Sequence, residues 1–217
     1  MPAWVDAALV LLALTSLLLL GSSRLVACVR IVAFQGLLLG GLTLAAHAHE
    51  LSLRTLLLAA GVTVLKGAGF PWLLGRVLRE ADVRREVEPF VSYNASLLIG
   101  AVVLAGSLWL SARLPLPAPP ISMLMVPVSL FVTLAGLFLI VSRRKALTQV
   151  LGYIVLENGI YVFGVGLVEG TPMVLEMGVL LDVFVAVFVM GIAIFHISRE
   201  FDHIDADQLT ALRDWVS

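Results

Sequence analysis

Seven stretches of mostly apolar residues, each about as long as a bilayer's hydrocarbon core is thick, constrain this chain more than any other feature. They run roughly over Ala3–Leu20, Leu25–Ala46, Leu53–Leu74, Phe90–Leu110, Ile121–Val141, Ala146–Leu167 and Met173–His196. A helix needs about 20 apolar residues to cross that core. Backbone N–H and C=O groups in lipid must also find partners within the segment, which a helix provides. The expected fold class is therefore all-α, a polytopic membrane protein with seven transmembrane helices. Seven spans use about 140 residues, which leaves loops and a short tail from a chain of 217. No separate soluble catalytic domain fits. Composition agrees: hydrophobic residues are 60% and charged residues 13%, about half the roughly 25% of soluble domains. These values exclude a soluble globular domain, a disordered chain and a nucleic-acid binder. The net charge of −1 provides no field to steer an anionic partner.

The basic residues divide unevenly between the two sides of such a bundle. One side carries Arg24, Arg30, Arg76, Arg79, Arg84, Arg85, Arg143, Arg144, Lys145, Arg199 and Arg213. The other carries Arg54 and Arg113, and Lys66 falls inside a span. The positive-inside rule then puts the N-terminus outside and the C-terminus in the cytoplasm, which requires an odd number of spans. The segment from Arg79 to Glu88 reads as a solvated cytoplasmic hairpin, and the tail as carrying a short helix from about Gln208. Cys28 is the single cysteine, so neither an internal disulfide nor a multi-cysteine metal site is available.

An ionisable group at the bilayer centre costs about 2.5–3.5 kcal/mol on insertion scales, so each one calls for a partner or a task. Four qualify: Lys66, Glu157, Glu176 and Asp182. Glu157 lies near the middle of the sixth segment. Tyr153 and Tyr161 sit one turn away on its face, and Asn158 is adjacent. Glu157 is either a protonated carboxyl that binds helices together or a member of a proton relay. Asp182 reaches a similar depth on the antiparallel seventh segment and is expected to face Glu157. Glu176, six residues earlier, points about 120° away from Asp182. It faces another subunit or the outer interface. Lys66 precedes Gly67-Ala68-Gly69-Phe70-Pro71, where proline withholds a backbone donor and the glycines loosen the turn. A lysine beside loosened backbone is the pattern of helix breaks near ion paths; the alternative is a side chain that snorkels to the cytoplasm.

Nothing else in the chain looks catalytic. His47, His49 and Glu50 sit together in an outer loop, where solvated histidines are the alternative to a weak metal site. Gly36 and Gly40 form a small-xxx-small face suited to helix packing.

The stretch from Leu147 to Gly159, with its Leu156-Glu157-Asn158-Gly159, resembles the sixth span of hydrogenase-4 component E. So do the segment from Glu176 to Val189, with Glu176, Gly178 and Asp182 in Glu-x-Gly-x-x-x-Asp spacing, and the tail Asp207 to Leu212. Lys66 falls where that family has an intramembrane lysine. The resemblance implies a four-helix N-terminal region over 1–118. It implies a three-helix region over 119–199, similar to the small K-type subunit of respiratory complex I, and a cytoplasmic tail over 200–217. In complex I that subunit carries membrane glutamates on its second and third helices, to which Glu157 and Asp182 correspond, the latter shorter by one methylene. The implied function is a non-redox membrane subunit of a group 4 hydrogenase-type assembly in the bacterial inner membrane. Its proton or sodium path would use Glu157, Asp182, Lys66, Glu176, Tyr161 and Asn158. No cofactor is expected in this chain, the nickel–iron and iron–sulfur centres belonging to partner subunits. The implied partners are antiporter-like membrane subunits and the membrane anchor of the complex. A scaffold whose carboxyls only hold helices together, and a component of a multisubunit cation/proton antiporter, are the alternatives.

Overall fold

The computed structural model describes residues 3–46, 53–80, 89–115, 122–167 and 191. The elements are α1 (Ala3–Gly21), α2 (Leu25–Ala46), α3 (Leu53–Val64), a π-helical turn (Leu65–Gly69), α4 (Phe70–Glu80), α5 (Tyr93–Ser111), α6 (Met125–Ser142) and α7 (Ala146–Leu167). Among the described residues there is no β-strand. Helices α1, α2, α5, α6 and α7 are each long and apolar enough to cross a membrane. The seventh segment, Met173–His196, and the tail helix lie outside the described residues apart from Gly191.

Local chemistry sets the helix ends. Ser92 caps α5 by accepting from Ala95 N–H, satisfying one of the donors a helix start leaves open. In α6, Pro127 occupies the first turn, where the missing N–H removes no intrahelical bond. The third apolar run continues as helix beyond its apolar residues. α4 continues to Glu80, so Arg76 and Arg79 sit on a helix rather than in a loop. Basic side chains in a last turn suit the negative end of the helix dipole.

The expected break at Lys66 is a π turn instead. Val64 (φ −68°, ψ −45°) and Phe70 (φ −62°, ψ −46°) both keep right-handed helical angles. α3, the turn and α4 therefore form one rod. Phe70 N–H bonds to Leu65 O, five residues back, and Pro71 has no N–H to offer Gly67 O. Widening the turn absorbs that mismatch and keeps the backbone bonded.

Helix α2 lies at the centre of one half, touching α1, the whole rod and α7, while α6 packs on α1, α5 and, most extensively, α7. Gly36 makes the closest backbone approach to the rod. A Cβ there would meet Lys66 C and O and Gly67 N, at 2.5–2.7 Å. The small-xxx-small face of α2 thus seats the π turn. The half-exposed faces of α5 present Leu98, Val102 and Trp109 outward, as lipid-facing helices do.

The bundle has two distinct ends. At one, Phe90 N–H bonds to Ser142 O at 3.0 Å, and Arg143 reaches across to donate to Leu20 O (2.6 Å) and Val91 O (3.4 Å). At the other, the Ser122 hydroxyl donates to Asp6. Arg143, counted from sequence among exposed loop charges, is only 1% exposed. Its guanidinium closes the C-terminus of α1 and stacks on Tyr93, 4.6 Å from the ring centroid. Arg144 beside it is exposed.

Candidate functional site

In the interior, halfway along α7 and the rod of α3, the π turn and α4, Lys66 Nζ lies 3.3 Å from Glu157 Oε2. The two side chains are 1% and 3% exposed. Two opposite charges brought into a low-dielectric interior lose much solvation, and their mutual attraction offsets this only with good geometry and further hydrogen bonds. On the lysine side one is present. Lys66 Nζ also donates to Asn158 Oδ1 (3.4 Å) and stands 5.9 Å from the centroid of the Tyr161 ring, within the range of cation–π attraction. The π turn is what brings the lysine here, because it sits at the rod's centre against Gly36 and carries Lys66 inward.

Two hydrogen-bonded arms lead away from this pair. In the first, Asn158 Nδ2 donates to Gln35 Oε1 (3.2 Å), and Gln35 Nε2 donates to Thr15 Oγ1 (3.0 Å) and Ser16 Oγ (3.1 Å). In the second, Thr43 donates to Leu39 O (2.9 Å), which leaves its oxygen to accept from the Tyr161 hydroxyl at 2.8 Å. Helices α1, α2, α7 and the π turn thus meet in one polar layer inside an apolar bundle.

Of the residues picked from sequence, Lys66, Glu157, Asn158 and Tyr161 come together. Lys66 points inward instead of snorkelling. Tyr153, also on the Glu157 face by spacing, is only partly buried at the edge of the core. Glu176 and Asp182 lie outside the described residues, as do His47, His49 and Glu50; the expected facing of Glu157 and Asp182 falls there too. Gln35, Thr15, Ser16 and Thr43 carry no charge, so the cost of charge in hydrocarbon does not single them out. Their signal was available: Gln35 is the single carboxamide in the first two apolar runs, and a polar side chain in a span seeks a partner on another helix. Cys28 is buried within α2. Among the described residues no three His, Cys, Asp or Glu side chains converge as a metal site.

The sequence of the chain is similar to those of known proteins. The model of the family "NADH-ubiquinone/plastoquinone oxidoreductase chain 4L" matches residues 124–214, a range that takes in α6 and α7 and hence Glu157. The uncharacterized protein Rv0085 of Mycobacterium tuberculosis is 33% identical over 204 residues, covering 94% of this chain and 93% of its own. Hydrogenase-4 component E of Escherichia coli K12 is 38% identical over 80 residues, 37% of each chain, and that of Shigella flexneri matches to the same extent. The chain belongs to the same family as the mycobacterial protein Rv0085. The aligned part spans little over a third of the enterobacterial component E chains, whereas the mycobacterial relative is matched almost end to end. No solved structure matches.

Proposed function

We propose that this component E-type subunit contributes the Lys66–Glu157 pair to the proton or sodium path of a complex I-like assembly, and that electron transfer takes place in partner subunits. The observation that carries the reading is the pair itself: a carboxylate and an ammonium in contact, midway along two apolar helices, with Asn158 and Tyr161 on the same centre. A titratable pair at that depth is costly to keep, and intramembrane ionisable residues mark ion pathways by default. Asp182 and Glu176 would continue the path on the seventh span, completing a seven-helix bundle in the bacterial inner membrane. Antiporter-like membrane subunits and the anchor of a hydrogenase-type arm would be its neighbours.

Glu157→Gln tests the reading. Glutamine keeps the shape and an oxygen that accepts from Lys66 Nζ, but carries no titratable proton. The complex is expected to assemble, while redox-linked proton uptake by vesicles falls by roughly 10²-fold, with subunit composition checked on the same sample. Full uptake by an assembled Glu157→Gln complex would favour the scaffold reading, to which the tying of four helices by one polar layer also lends support.

Orientation has its own test. Arg144 is exposed at the Arg143 end and Arg113 is exposed near the opposite one. With the buried Cys28 silent, Arg144→Cys is expected to react with a membrane-impermeant thiol reagent only from the cytoplasmic side, and Arg113→Cys only from outside. External labelling at 144 would reverse the bundle.

A further inference from the structure

The arm through Gln35 has a fixed direction. Thr15 Oγ1 donates to Leu11 O (2.7 Å) and Ser16 Oγ to Leu12 O (2.9 Å). Each hydroxyl has one proton, and both are committed to the α1 backbone, so both oxygens are left as acceptors. The group of Gln35 that faces them must then be the donor Nε2, which turns Oε1 toward Asn158. Asn158 must in turn present Nδ2 to Gln35, which turns Oδ1 toward Lys66. The α1 backbone thereby dictates, through three successive side chains, that Lys66 meets an acceptor. Gln35 and Asn158 are both 0% exposed, so no bulk water competes for these bonds.

We propose that Gln35 is a positioning residue: anchored on Thr15 and Ser16, it turns Asn158 so that Oδ1 faces Lys66 and holds the ammonium beside Glu157. Neither carboxamide titrates, so this arm aims the lysine and is not itself a stretch of the ion path. Without Gln35 Oε1, Asn158 Nδ2 is a buried donor with no acceptor, and rotating the amide by half a turn would put that donor against the Lys66 ammonium. The functional meaning rests on the ion-path reading of Lys66 and Glu157; the positioning itself does not.

The chain suits a direct measurement. Its two lysines are Lys66 and Lys145, and its two asparagines are Asn94 and Asn158. In a Lys145→Arg, Asn94→Gln background, nitrogen-labelled lysine and carbon-labelled asparagine side chains each report one position. Solid-state NMR of the full chain in lipid bilayers should then show a Lys66 Nζ to Asn158 Cγ dipolar contact. Gln35→Met should weaken the contact, because the Nδ2 that turns toward Lys66 pushes the ammonium away, and should lower ion translocation several-fold in the assembled complex. If Gln35→Met does not fold, Thr15→Val with Ser16→Ala frees Gln35 to rotate while touching nothing near Lys66, and should weaken the same contact. A contact retained at full strength in the folded Gln35→Met chain, or in the double variant where that one does not fold, overturns the proposal. Glu157→Gln run in parallel separates the two ideas. Full translocation by that variant defeats the ion-path reading whatever Gln35 does. Loss of translocation there, with an unchanged dipolar contact in Gln35→Met, defeats the positioning role alone.

Discussion

Lys66→Met is expected to destabilise the folded subunit by about 3–5 kcal/mol, the usual result of removing one member of a buried ion pair. Methionine matches the lysine stem in length and apolar character, so little packing is lost against Gly36 and α7. What is lost is the ammonium 3.3 Å from Glu157 Oε2, and a carboxylate is left in a site closed to water. The effect is directional. Glu157→Gln leaves Lys66 with an amide oxygen and Asn158 Oδ1 as acceptors, whereas Lys66→Met leaves Glu157 facing a thioether. The double variant Lys66→Met, Glu157→Gln should recover most of the stability, because removing both partners is often close to neutral. It should not recover ion translocation. The thermal unfolding midpoint of the detergent-solubilised subunit, with vesicle uptake measured alongside, checks both parts. A Lys66→Met subunit as stable as the parent would mean that this ammonium does not compensate Glu157.

Gly136→Ala is expected to abolish accumulation of the folded subunit, although it adds one methyl group. The added Cβ would meet Leu156 N, with Leu156 Cα at 2.5 Å and Gly152 O at 2.7 Å. These are backbone atoms of α7 that cannot rotate aside. Overpacking a core costs about 1–3 kcal/mol when side chains can yield, and here the two helices must separate instead. Leu156 precedes Glu157, so any displacement of α7 also pulls the carboxylate away from Lys66. Gly159 and Gly152 meet α6 backbone in the same way, making this helix pair a glycine-lined contact along its length. Gly106→Ala in α5 is the control: nothing lies within 4 Å of a Cβ there, and alanine favours a helix over glycine by about 1 kcal/mol. Comparing membrane levels and unfolding midpoints of the two variants decides the matter. Normal levels of Gly136→Ala would show that the α6–α7 contact is looser than its geometry.

Among the described residues, the first six apolar runs marked helices, and Arg24, Arg76, Arg79, Arg143 and Arg144 marked one end of the bundle. Neither could mark the faces. In a soluble helix a polar stripe distinguishes solvent from core, but here lipid and core are both apolar, and α1, α2, α6 and α7 carry side chains of one kind all round. The interior then had to be found from exceptions. Glu157, Asn158 and Tyr161 could be grouped because three or four residues along a helix is one turn, a rule that needs only the sequence. Gln35, Thr15 and Ser16 gave fainter exceptions, uncharged and on other helices.

The sequence by itself determined that this is an all-helical membrane chain, that Lys66 and Glu157 lie at depth, and that Asn158 and Tyr161 share the glutamate's neighbourhood. These follow from segment length, from the cost of charge in hydrocarbon and from helical periodicity, all of them local. Tertiary structure decided that Glu157 meets Lys66, that a π turn rather than a break carries the lysine, that Gln35 links α1 to α7, and that Arg143 closes the end of α1 instead of facing water. Each of those depends on which helix stands beside which. In a chain whose helices are apolar on every side, the neighbours are selected by glycines that let two backbones touch and by scattered polar groups that find one another, and their pairing exists only once the bundle has formed.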